Sequence, residues 1–126
     1  MSTIEEEVAK LRKLANDKPS PAKLKMVEHS LSTKWEGVES VALKVLFAWG
    51  GKDAVRLARA SLERHWSDKS GWAIRAQAIK VLTKHITARD TAWVGELEQK
   101  AKSTPLMLHE LRYLTARAQE FAGNLD

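Results

Sequence analysis

The run Val41-Ala42-Leu43-Lys44-Val45-Leu46 returns as Gln77-Ala78-Ile79-Lys80-Val81-Leu82, 36 residues further along the chain. A period of that size predicts stacked helical hairpins, since each hairpin can bury its apolar face only against the next copy. Such an array presents a broad surface to something large, so the spacing constrains the kind of function as well as the fold. Glycine and proline fit the same picture. Only 6 Gly and 3 Pro occur, and most stand where helices would end: Pro19, Pro21, Gly50-Gly51, Gly71, Pro105 and Gly123.

Apolar residues recur at i, i+3, i+4 and i+7 in nearly every segment, and no useful stretch alternates apolar with polar. An all-α fold of about seven helices is expected, over roughly 3–16, 20–33, 36–49, 52–66, 71–86, 89–102 and 105–122. Ser2, Ser20, Asp53, Ser70, Asp90 and Thr104 lie near the expected starts, where a side-chain oxygen can accept from free backbone N–H groups. Gly50 or Gly51 can supply the left-handed residue that ends the third helix. Helices joined by such short turns lie antiparallel to their neighbours.

A helical wheel over 72–86 places Ile74, Ala78, Ile79, Val81, Leu82, His85 and Ile86 on one arc and Gln77, Lys80 and Lys84 opposite. Over 52–66, Val55, Leu57, Ala58, Leu62 and Trp66 turn inward, and Lys52, Arg56, Arg59 and Glu63 form an outward stripe. The basic residues therefore occupy faces. Net charge is +5, but Lys44 to Arg89 holds ten Lys or Arg against Asp53, Glu63 and Asp68, which is +7, and the rest of the chain carries −2. A basic middle between acidic ends suits an acidic protein or a nucleic-acid backbone, although solubility alone also favours charged helix faces.

The order branched residue, three positions, Ala, three positions, Leu occurs twice in phase, as Val38-Ala42-Leu46 and Ile74-Ala78-Leu82, with Arg75 following Ile74. This resembles the second helix of a HEAT-type repeat. Ser30-Leu31-x-x-Lys34-Trp35 likewise parallels Ser61-Leu62-x-x-His65-Trp66. The resemblance implies a single domain over 1–126, with 1–17 as a capping helix and 20–49, 52–86 and 89–122 as hairpins in a short right-handed α-α superhelix. The basic slot after Val38 holds Glu39, and the third copy lacks the small-residue pattern.

A narrower stretch, Trp66-Ser67-Asp68-x-x-x-Trp72-x-x-Arg75-x-x-Ala78-Ile79, is similar to one in the HEAT-like alkylpurine DNA glycosylases, which use Trp, Asp and Arg on a concave basic face. On structural grounds alone, Trp66 and Trp72 would be anchors of a hairpin turn, Asp68 a helix cap, and Arg75 its partner along the turn.

Chemistry is otherwise sparse in the sequence. There is no Cys, so disulfides, thiolate zinc sites and thiol nucleophiles are excluded. His29, His65, His85 and His109 are at least 20 residues apart and form no two-turn metal pair. His85, on an apolar arc, reads as a hydrogen-bonded core residue. Gly50-Gly51 lacks the lysine pattern of a phosphate loop. Glu96 and Glu98 are two apart and face different ways. No catalytic residue, metal or cofactor is expected. The acidic start, Ile4 to Val8, has no apolar signal core, and no apolar run approaches the roughly 20 residues that span a bilayer, so a cytoplasmic location is expected.

The expected function is a non-catalytic scaffold that binds an acidic partner, a protein in preference to nucleic acid, through Lys44, Lys52, Arg56, Arg59, Lys80 and Lys84. Trp35, Trp66 and Trp72 are candidate aromatic anchors, although five Trp at helix ends favour burial between hairpins. The alternative is DNA or RNA backbone binding related to base repair. A repair enzyme would need an acid beside an exposed Trp, with Asp68 and Asp90 as candidates. A third reading is a subunit whose basic face packs on a neighbour.

Overall fold

The computed structural model describes residues 3–33 and 35–123. These form α1 (Ile4–Ala15), α2 (Pro21–Leu31), α3 (Glu36–Trp49), α4 (Gly51–Arg64), α5 (Trp72–His85), a 3-10 turn over Ala88–Asp90, α6 (Thr91–Ala101) and α7 (Pro105–Gly123). The all-α expectation holds, and each α-helix ends within two residues of the expected bounds. Where 89–102 was expected as one helix, the first residues form the 3-10 turn instead. Thr87 and Asp90 close a reciprocal capping box there, satisfying backbone donors that an α-helical start would leave free.

The other caps are mixed. Ser20 accepts from Lys23 N–H at 3.2 Å, as its position predicts. At α1 the cap is Thr3, accepting from Glu6 N–H, while Ser2 lies outside the described residues. Asp53 sits inside the first turn of α4 and faces Arg56. Ser70 turns back to Asp68 and leaves α5 without a side-chain cap. Gly50 and Gly51 both take positive φ, 71° and 84°, which only glycine adopts without strain. A Cβ on Gly50 would stand 2.7 Å from the His85 ring, so glycine is required there for space as well.

The helices lie in two rows. In the first, α1 packs on α3, α3 on α5 and α5 on α7; in the second, α2, α4 and α6 each back onto their hairpin partner and make little backbone approach to one another. Apolar burial explains this arrangement. Val38, Ala42 and Leu46 of α3 and Ile74, Ala78 and Leu82 of α5 are all 0–1% exposed, so the repeated pattern is the seam along which neighbouring helices meet. Ser30-Leu31 and Ser61-Leu62 are also buried at matching places in α2 and α4. One continuous core joins both rows, from Leu11 and Leu14 to Leu114 and Ala118.

Two polar devices recur in the same 36-residue register. Trp49, at the end of α3, donates its indole N–H to the carbonyls of Leu14 and Asp17 at the end of α1. His85, at the end of α5, meets the Phe47 carbonyl at the end of α3 at 2.6 Å, so Nε2 carries a proton. Each ring thereby donates to carbonyl groups at or just beyond a helix C-terminus, and ties neighbouring first-row helices together. His85 is accordingly hydrogen-bonded, as expected, but half-buried rather than fully interior.

Candidate functional site

The six predicted basic residues separate into two groups. Lys44 on α3 and Lys80 and Lys84 on α5 are exposed on the first row, and none is ion-paired among the described residues. Lys52, Arg56 and Arg59 belong to α4, in the second row, and their faces turn away from the shared core in the other direction. Arg56 and Arg59 engage α2 and α6, whereas Lys52 lines a cleft together with His85 of α5.

Their electrostatic states differ as well. Arg56 donates to Glu28 at 3.1 Å and Asp53 at 3.3 Å; the Glu28 hydrogen bond raises its already high pKa. Arg59 bonds Glu63 at 3.0 Å and lies 4.8 Å above the Trp93 ring. These contacts bridge α2 to α4 and α4 to α6, helices whose backbones barely meet, so both arginines are engaged in holding the second row together. Of the three first-row lysines, Lys84 alone has such a contact among the described residues, lying over the exposed Phe47 ring 4.2 Å away.

The tryptophans divide likewise. Trp66 is 6% exposed with the Lys100 ammonium 4.5 Å from its ring centre, so this candidate anchor is structural. Trp49 and Trp93 are partly buried, with the Trp93 indole N–H on Asp90 Oδ1. Trp35 (40% exposed) and Trp72 (65%) are open to solvent. Burial between hairpins therefore accounts for three of the five. Trp72 is exposed because α5 begins on it: Ile79, two turns on and nearly in line with it, is buried, but the first residue of the helix lies beyond that packing.

Sequence reading missed a polar cluster at the turn between α4 and α5. Glu39, at the register of Arg75, is only 3% exposed and its carboxylate accepts from Ser61 Oγ (2.9 Å), Arg64 (2.8 Å) and His65 Nε2 (2.8 Å). The other ring nitrogen of His65 faces Asp68 at 3.3 Å. Asp68 also accepts from the backbone and hydroxyl of Ser70, and the His65 contact, followed by those from Ser70, holds its carboxyl below the ordinary value of 3.8. Arg75 donates to the carbonyls of His65 and Asp68 and forms an ion pair with Glu110 of α7 at 2.8 Å. Arg75 thus meets Asp68 along the turn, as expected, but through the Asp68 main chain, and Glu110 supplies the counter-charge. The available signal was a charged residue on an apolar arc at both repeats, which requires a buried partner.

A cleft of about 450 Å³ opens beside this cluster, lined by Ser32, Thr33, Glu36, Arg64, His65 and Asp68 among others. Arg64, His65 and Asp68 are already committed within the cluster, and the Ser32 and Thr33 hydroxyls donate to the carbonyls of His29 and Ser30. Ser61 is fully buried and donates to Glu39, so it is no accessible nucleophile, and a carboxyl held acidic as Asp68 is makes a weak general base. Asp90, the other acid considered, is occupied by Thr87 and Trp93. Of the Trp66, Trp72 and Arg75 set, only Trp72 reaches solvent; Arg75 is buried. No group of His, Asp or Glu with metal-holding geometry occurs among the described residues, and none of their helices is long and apolar enough to cross a membrane. The polar cluster is best understood as the clamp that fixes the start of α5, and with it the orientation of Trp72 and Lys80. No protein-family model, no curated protein and no solved structure matches this chain.

Proposed function

We propose that the chain is a non-catalytic helical binding module that recognises an acidic protein through the exposed face of α3 and α5. The observation that carries this reading is the state of Lys44 and Lys80. They stand at equivalent positions of adjoining helices, exposed and without an acidic partner among the described residues, whereas Arg56 and Arg59 are neutralised within the fold. Within α5 there is no Asp or Glu at all, and in α3 the acids are Glu36 and Glu39, at the far end from Lys44 or buried. An uncompensated positive strip steers acidic partners and raises association rates at low salt. A HEAT-like stacking of the hairpins would present such a strip across successive units.

The test is charge reversal. Lys44→Glu with Lys80→Glu should reduce capture of acidic proteins from a nuclease-treated lysate at low salt, and Arg56→Glu should change it far less. Equal capture by the first-row double variant would remove this assignment. Nucleic-acid binding is the second reading, favoured by one observation: Trp72 and Lys80 are both exposed on α5, eight residues apart, which offers an aromatic ring for stacking and a cation for phosphate on one helix. It requires that affinity for a single strand fall steeply as salt rises, and a flat response eliminates it.

A further inference from the structure

Three large apolar side chains stand more than half exposed at the junction of α5 and α7: Trp72 (65%), Leu106 (78%) and Tyr113 (64%). The Arg75–Glu110 ion pair fixes their relation. Trp72 precedes Arg75 by three residues, and Leu106 and Tyr113 flank Glu110 at four before and three after, so the pair at 2.8 Å brings the first turn of α5 against the second turn of α7. Isolated exposed apolar residues need no explanation, but a grouping of two aromatics and a leucine on adjoining helices marks a contact surface.

The charges around it select the occupant. Lys80 continues the exposed face of α5, and Arg112 lies 4.7 Å over the Tyr113 ring with its Nη2 on the phenol oxygen. Glu110 is neutralised by Arg75, and α5 holds no acid. The surface therefore combines an apolar centre with a cationic border, and its complement is an apolar stripe edged with carboxylates.

We propose that Trp72, Leu106 and Tyr113 anchor the apolar side of an acidic amphipathic helix from a partner protein, whose carboxylates meet Lys80 and Arg112. This rests on the reading of the chain as a binder of acidic proteins and specifies the segment bound. The i, i+3 and i+4 stripe of such a helix suits the shallow junction between two parallel helices.

The experiment is selection of a random 16-residue peptide library displayed on phage against the full chain, followed by fluorescence anisotropy of the enriched peptides. Enrichment in Asp and Glu with Leu, Phe or Trp at helical spacing is expected. Trp72→Ala and Leu106→Ser should each weaken these peptides at least tenfold while leaving the thermal unfolding midpoint unchanged, since both side chains are exposed. Neutral or basic winners, no winner, or undiminished binding to both variants would overturn the anchor. A concentration-dependent mass in sedimentation that disappears with Trp72→Ala would also overturn it, because a second copy would then be the occupant. A polyglutamate probe separates the two ideas: if Lys44→Glu with Lys80→Glu releases it but Trp72→Ala alters no peptide, the acidic-partner reading stands and the anchor falls. If neither variant alters any probe, both fall.

Discussion

Replacing Glu39 by Ala should be the most destabilising single truncation of a polar residue in this chain, because its carboxylate serves three donors from inside the core. Burial differs among them, and so does the consequence. Ser61 is fully buried, so its hydroxyl loses an acceptor that water cannot replace, at a cost of about 1.5 kcal/mol. The His65 side chain is 18% exposed and recovers part of its hydration, which leaves about 1 kcal/mol. Arg64, at 49% exposed, rehydrates readily and contributes about 0.5 kcal/mol once solvent screening is allowed for. The total is about 3 kcal/mol, at the lower end of what removal of one partner from a buried pair costs. At ~2.1 cal/mol/K of unfolding entropy per residue, a chain of 126 residues should lose about 11 °C in Tm.

Urea unfolding followed by tryptophan fluorescence measures this, with the m-value as a check that the transition stays two-state. Glu39→Ala combined with Ser61→Ala should cost clearly less than the sum of the singles, since the orphaned hydroxyl is then absent. A loss below about 1 kcal/mol for Glu39→Ala, or strict additivity in the cycle, would show that the cluster does not clamp the α4–α5 turn as argued.

Gly50→Ala should cost about 3 kcal/mol, because the positive φ and the approach of a Cβ to the His85 ring act together; Gly51→Ala, with open space around it, should cost about 1 kcal/mol. Thermal denaturation of the pair distinguishes steric from backbone strain, and equal losses would exclude the His85 contact as a cause. Asp68 titrates below its unfolded value, so its stabilising contribution is present above about pH 4 and disappears as pH falls through the lower folded value. The difference in urea midpoint between the wild type and Asp68→Asn should therefore shrink as pH falls below about 4; a difference that persists undiminished at the lowest pH at which the chain folds would contradict this. Trp72→Ala should change stability by less than about 0.5 kcal/mol, as suits an exposed residue, and a larger loss in the same urea assay would give it a structural role.

Much of the fold is readable in the chain because it follows from local rules. Apolar periodicity fixes helices, Gly50-Gly51 and Pro105 interrupt them, and the return of Val38-Ala42-Leu46 as Ile74-Ala78-Leu82 identifies residues that meet at a common seam. The lysines at the matching outward slot, Lys44 and Lys80, follow from the same geometry, since a position opposite a buried arc faces solvent.

Other features depend on which helices become neighbours, and periodicity carries no information about that. The wheel of α4 shows Arg56 and Arg59 outward, yet only the second row brings Glu28 and Trp93 near enough to engage them. Trp66 and Trp72 stand six residues apart in one turn, but Lys100 covers the first and nothing among the described residues covers the second. Glu39, a mismatch in the repeat by sequence alone, gains its role when the end of α4 delivers Ser61, Arg64 and His65 to it. The sequence by itself determined the helices and their buried faces, because these are set by neighbours three and four residues away. The tertiary structure alone decided which charges are neutralised and which aromatics stay open, because those depend on desolvation and on partners 25 to 35 residues distant.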